Sequence, residues 1–211
     1  MSQTAVPNDF QRFVAAVKCL LNGDNIKEAD KWLMKFKKLD AAWAVTVQSM
    51  MQVTIPGLSA EDLQQLHFQA ATMLKDKIRK HGENLPAPHR LQLRQRLVLL
   101  INRFHAHQRR KIVLQLCIGL ANLAVIDEDW DNVIVFCASG FKTLAQREVL
   151  LIVLKYFPQQ LHERDRNTIS IARYQSLTKQ LHVYSPHVLK LIQQSLQVKG
   201  IAQTPVMLRV S

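Results

Sequence analysis

Three groups of residues in this chain have the types and spacing that could do chemistry. The first is the basic run His105-Ala-His-Gln-Arg-Arg-Lys111. Its cations could hold a phosphate backbone, but it falls at a turn between two predicted helices, where a solvated basic turn is the commoner meaning. His105 and His107 are two positions apart, which on a helix points them away from each other. No Cys or carboxylate lies close enough in sequence to complete a zinc shell. The second group is Asp127, Glu128, Asp129 and Asp131. They precede a predicted helix, where negative charge favours the N-terminal dipole. The third is Cys19, Cys117 and Cys137, an odd and widely spaced set among apolar residues. That pattern fits buried reduced thiols rather than a disulfide framework or a zinc site. There is no Gly-rich phosphate loop, no Ser elbow and no pair of carboxylates at catalytic spacing. The expectation is a protein that is not an enzyme and takes no metal or cofactor.

Composition narrows the partners. Of 211 residues, 48% are hydrophobic and only six are Gly, and the Leu, Ala, Gln, Lys and Arg content favours helix. No apolar run approaches the roughly 20 residues that span a bilayer. The start, Met1 to Pro7, lacks the basic-then-apolar layout of a signal peptide, so the cytosol or nucleus is expected. The net charge of +12 suits nucleic acid, an anionic membrane surface or an acidic protein partner, or else it solvates the outer faces of helices. Aromatic residues are not interleaved with the basic ones as a base-stacking platform requires.

The elements that must position these residues are helices. Ile26, Ala29, Trp32, Leu33 and Phe36 share one helical stripe. Leu39-Asp40 then turns the chain, with Asp40 placed to N-cap a second helix striped by Trp43, Val47, Met50 and Met51. A first helix runs from Asn8 or Asp9 to about Asn22, on Phe10, Phe13, Val14, Val17, Leu20 and Leu21. After Val53-Thr-Ile-Pro-Gly-Leu, Ser59-Ala-Glu-Asp62 is a capping-box variant opening a helix to about Lys80. The loop His81 to Pro88 leads to helices of about 88–105 and 109–126. The latter is apolar on more than one side and so belongs in the interior of a stack. Helices of about 130–141 and 145–157 follow, the last closed by Pro158, then a polar link from Gln159 to Arg166. Two final helices span about 167–182 and 186–199, with Pro186 in the first turn of the last. The second helix of each pair recurs about every 40 residues, the length class of HEAT and armadillo repeats. The fold class expected is all-α: an α-α superhelix of about five hairpins over 1–200, with an irregular tail over 201–211.

Several stretches resemble a known family. Ala29-x-x-Trp32-Leu33-x-x-Phe36 with Ala42-Trp43 is similar to the opening of importin-β superfamily receptors (karyopherins). Phe68-Gln-Ala-Ala-Thr-Met-Leu-Lys-Asp-Lys-Ile78 resembles the family's second-repeat helix. Leu93-Arg94-x-x-Leu97, then Gln115 to Ala124 with Trp130 beyond, resembles the third repeat. Phe157-Pro158-Gln-Gln-Leu161-His-x-Arg164 is similar to the link after the fourth repeat in the transportin-SR branch. The resemblance implies a nuclear transport receptor shuttling between cytoplasm and nucleus. Its N-terminal repeats would hold the small GTPase Ran in its GTP form, with cargo bound farther along the arch, Arg/Ser-rich splicing factors in that branch. Nucleoporins are a further class of partner it admits. The chain departs from the family in two ways. Members are several times longer, so this chain reads as an N-terminal fragment or truncated product. Members are also usually acidic, whereas this chain is at +12.

If the second helix of each pair faces inward, the candidate Ran contacts are Gln65, Gln69, Thr72 and Asp76 on one pair, and Gln115 and Asn122 on the next. Ordinary solvated positions are the plain alternative. Trp32, Trp43, Phe36 and Phe68 are expected as packing anchors. The leading function is a Ran-GTP-binding segment of an import receptor. The alternatives are a basic helical repeat that binds nucleic acid and a truncated fragment without function.

Overall fold

The structure is a computed structural model and describes residues 7–163 and 169–198. Among the described residues it is built of nine α-helices and one short 3-10 turn, with no strand. In chain order these are α1 (Pro7–Asn22), α2 (Ile26–Phe36), α3 (Ala41–Met51), α4 (Ala60–His81), α5 (Ala87–Ala106), α6 (Arg110–Ile126), α7 (Val133–Gly140), α8 (Arg147–Glu163) and α9 (Ile171–Val198). The pairs α1–α2, α3–α4, α5–α6 and α7–α8 pack as antiparallel hairpins, and α4, α6 and α8 stack side by side in one row. The all-α helical stack expected from the sequence is the observed fold.

The sequence stripes explain this order. Leu93, Leu97, Leu100, Ile101 and Phe104 of α5 are all buried. Helix α6, apolar on several sides, is covered by α4, α5 and α8 together. Its Gly119 faces α4: a Cβ there would stand 3.6 Å from the Lys75 backbone and 3.4 Å from Ile78, which are ordinary contact distances. Phe36 is buried, with Trp32 stacked on it at 4.7 Å and Phe13 at 5.8 Å. The stripes fail at helix ends: Leu21, Ile26 and Met51 are exposed, because the last turn of a hairpin extends past its neighbour.

Capping differs from expectation at one turn and follows it at another. Ser59 Oγ accepts from the Asp62 N–H at 3.1 Å, and the Ser59 N–H donates back to Asp62 at 3.2 Å, so the capping box forms. Asp40 does not cap α3. It sits in the helical region at φ −64°, ψ −32° with no side-chain cap bond, whereas a capping residue needs extended backbone. The backbone N–H groups of Ala42 and Trp43 instead reach the Leu39 and Asp40 carbonyls. Lys77 Nζ, arriving from α4, donates to the Lys37 and Leu39 carbonyls at 3.1 and 2.9 Å.

Both proline boundaries move. Helix α8 continues through Pro158 to Glu163, and α9 is one helix through Pro186 instead of two. Proline removes one N–H and frees the carbonyl four residues earlier. For Pro186 that carbonyl belongs to His182, and Ser185 Oγ donates to it at 2.9 Å. The polar link expected from Gln159 is therefore helical at its start, where Gln159 and Gln160 both donate to Glu163. Arg164 to Arg166, and the tail over 201–211, lie outside the described residues.

The acidic cluster does not act on a helix dipole, since α7 begins only at Val133. The Asp127 side chain is wholly buried. One oxygen accepts from Arg90 Nε at 2.8 Å, the other from Arg94 Nε and Nη2 at 2.7 and 2.5 Å. Arg90 also reaches Asp129 at 2.6 Å and the Leu85 carbonyl at 2.7 Å. Burial works against the Arg90 charge, but its bonds to Asp127 and Asp129 outweigh that and raise its pKa. Next to this pair, the Arg94 guanidinium lies 4.7 Å over the Trp130 ring. Arg173 of α9 donates to the Trp130 and Ala124 carbonyls at 3.0 and 2.6 Å. One buried knot thus ties α5, the α6–α7 turn and α9.

Removing one member of a buried pair leaves the other uncompensated. Asp127→Ala is expected to lower the unfolding free energy by about 3–5 kcal/mol, read as a fall in the urea midpoint; a change under about 1 kcal/mol would contradict the knot's importance. A second device is pH-dependent. His67 packs edge-on to Phe104 at 5.2 Å. Burial first, then the charge of Arg103, hold its pKa down to about 4 from 6.5. The folded state keeps it neutral while the unfolded chain takes up a proton below about pH 6.5, so its contribution is whole above that pH and is lost toward pH 4. Between pH 7 and 5 the loss is roughly 2 kcal/mol. Urea unfolding of the parent and His67→Gln at both pH values tests this: the variant should lose less stability on acidification, and equal losses would refute the assignment.

Candidate functional site

The row α4–α6–α8 is the face on which the candidate contact residues were placed. The residues divide by exposure. Gln65 and Gln69 are exposed on α4, and Asp76 is half-exposed, with its carboxylate 3.3 Å from Lys75. These three share the accessible side of α4. The other three are less accessible. Thr72 and Gln115 are half-buried, and their Oγ1 and Oε1 atoms are sealed from solvent with no hydrogen-bond partner. Asn122 is 1% exposed, donating to the Ile118 carbonyl at 3.0 Å and leaving Oδ1 unpartnered. Gln115 and Asn122 lie one turn to either side of Gly119, on the side of α6 that meets α4. Thr72 lies one turn before Lys75, the residue against Gly119. Sequence periodicity put all six on inner helices but could not tell a lumen-facing stripe from an inter-repeat one.

Along this row the accessible surface mixes polar and apolar groups. Phe68 and Met73 of α4, Leu114 and Ile118 of α6, and Ile152 and Tyr156 of α8 are half-buried. Lys155 of α8 is exposed, its ammonium 5.5 Å over the Tyr156 ring. Such a surface can hold a protein partner through shape and neutral hydrogen bonding, with Asp76 offering one acidic point.

The outer row is looser, since α3 and α5 meet only sparingly. Between them lies an open groove of 740 Å³. Trp43, Val47, Leu85, Pro86 and Leu93 form its apolar walls, with Asp40, His89 and Arg96 among its polar groups. Of the four aromatic anchors, Phe36 is buried, while Trp32, Trp43 and Phe68 are half-buried. Lys77 lies 5.0 Å over the Trp43 ring. Burial lowers the Lys77 pKa, and the Asp40 charge opposes that shift. Nothing in the local sequence announced this groove, because it depends on how far apart two helices stand.

The basic run lies on an edge of the stack with the α3–α4 and α7–α8 turns. His105 Nε2 is 2.9 Å from the Ala145 carbonyl. Arg103 donates to the Met51 and Gln52 carbonyls at 2.8 and 3.2 Å, and Arg109 pairs with Gln64. His107, Arg110 and Lys111 are exposed. Among the described residues, no group of three or more His, Cys, Asp or Glu could hold a metal ion. No helix there is long and apolar enough to cross a membrane. Cys117 and Cys137 are buried; burial raises both thiols, Cys137 to about 12.

No curated protein sequence matches this chain. Residues 109–209 match the exportin 1-like protein family, a stretch that begins at the basic turn and takes in α6 to α9. That match and the all-α stack of packed neighbouring helices both agree with the karyopherin resemblance of the sequence.

Proposed function

We propose that this chain is a Ran-binding segment of a nuclear transport receptor. The observation that carries the reading is the match of residues 109–209 to exportin 1-like proteins, on a stack whose first helices resemble the karyopherin opening. Ran in its GTP form docks on the α4–α6–α8 row, touching Gln65, Gln69 and Asp76. Thr72, Gln115 and Asn122 act indirectly, by setting the α4–α6 packing beneath that surface. Import of Arg/Ser-rich cargo, as in the transportin-SR branch, is the direction of transport that the sequence resemblance favours. Cargo would engage a surface other than this row, and the chain would shuttle between cytoplasm and nucleus.

Binding to Ran loaded with a non-hydrolysable GTP analogue, with the GDP form as control, tests the reading. Binding should require the GTP form, and Gln69→Lys/Asp76→Lys should weaken it by about tenfold or more, in the range of a contact that matters at an interface. Equal binding to both nucleotide forms, or none from folded protein, would overturn the proposal. An unaffected double variant would move the contact off α4.

A further inference from the structure

The positive charge of this chain is unevenly distributed. No Asp or Glu occurs between Glu83 and Asp127, nor between Asp131 and Glu148. Much of the cationic excess is engaged: Arg90 and Arg94 by Asp127, Arg103 by the end of α3, Arg109 by Gln64, Arg147 by Gln194. Arg110 and Lys111, and Lys142 on the next turn, remain exposed. Hydrogen bonds from His105 to Ala145 and from Gln146 to Asn102 fix those two turns side by side.

The position of Arg110 and Lys111 is unfavourable for folding. They form the first turn of α6, which has no acidic residue there and no side-chain cap. The helix dipole repels cations at this end, and the two repel each other. The ion pairs of Lys75 with Asp76, of Arg90 with Asp127 and Asp129, and of Arg94 with Asp127 include neither Arg110 nor Lys111.

We infer that the edge formed by the α5–α6 and α7–α8 turns is a binding surface for the phosphate backbone of nucleic acid. Helix α6 then presents the positive end of its dipole and its basic side chains to the same anion, while its Arg110 and Ile112 N–H groups stay with the Gln108 and Arg109 carbonyls. Two features favour this occupant over an acidic protein segment. The groove with apolar walls lies instead between the N-terminal half of α3 and the start of α5, and on these two turns Leu144 is the one large apolar side chain exposed. A nucleic acid strand carries a phosphate about every 3.4 Å of its axis, so an irregular row of cations always has charges opposite it. No large aromatic is exposed on these turns, and binding is therefore indifferent to base sequence.

The test is fluorescence anisotropy of the whole chain with labelled DNA duplexes of about 20 base pairs in two unrelated sequences, titrated across salt. Three or four neutralised phosphates give a log–log salt slope of about −3, the same for both sequences. Arg110→Glu/Lys111→Glu should weaken binding more than tenfold and flatten the slope by about 2. Because it relieves the dipole conflict, it should hold or raise Tm, by about 1–3 °C. Lys38→Glu/Lys80→Glu makes the same charge change at exposed positions on the opposite edge and should weaken binding less than threefold. Equal weakening by both pairs would reduce the effect to net charge and overturn the site. So would absence of binding at low salt, or displacement of the duplex by poly-glutamate at lower charge concentration than by unlabelled duplex, which would assign the edge to an acidic protein.

Discussion

The buried carboxylate of Asp127 is the constraint on which the central repeats depend. An ion pair taken out of water is costly unless its geometry is good and its remaining hydrogen-bonding positions are filled. Here both oxygens are met by guanidinium groups, one of which also lies against Trp130. The neighbouring Arg173 brings α9 to the same turn through two backbone carbonyls. Apolar stripes alone let neighbouring helices slide by a turn at little cost, because one Leu packs much like the next. A directional pair between α5 and the α6–α7 turn does not permit that slide. The knot sets the register in which the apolar stripes then pack.

The same logic explains part of the basic composition. Lys77, Arg103 and Arg173 each reach across to the carbonyl end of a helix or turn in another repeat. The last carbonyls of a helix have no partner within it, and a long cationic side chain satisfies them while complementing the negative end of the dipole. Several of the cations behind the +12 are therefore structural joints. The charge left for partners is smaller than the composition suggests.

The stack is asymmetric across its thickness. The second helices α4, α6 and α8 pack closely, while α3 and α5 stand apart. The close row gives a continuous surface for a large partner. The separated row leaves the Trp43 groove. A change in packing between α4 and α6 would alter both, which is why the sealed polar atoms of Thr72, Gln115 and Asn122 matter.

The sequence by itself determined the helices and their stacking. Residues such as Leu93, Leu97 and Phe104, or the several apolar sides of α6, carry a period that only packed helices satisfy, and Ser59 with Asp62 wrote its own helix start. These are local signals, complete within a few turns of chain. The tertiary structure alone decided which inner-helix residues are offered to a partner. Gln69 and Asn122 look alike in a helical wheel, yet one is exposed and the other sealed, because a neighbouring helix some forty residues away covers it. It also decided that Asp40 does not cap α3, whose first N–H groups turn to the Leu39 and Asp40 carbonyls, that Asp127 is a buried counter-ion, and that α9 runs unbroken through Pro186. Each of these depends on a partner distant in sequence or on packing that outweighs a local preference. Periodicity reports which face of a helix is apolar, whereas a site depends on what the other faces meet.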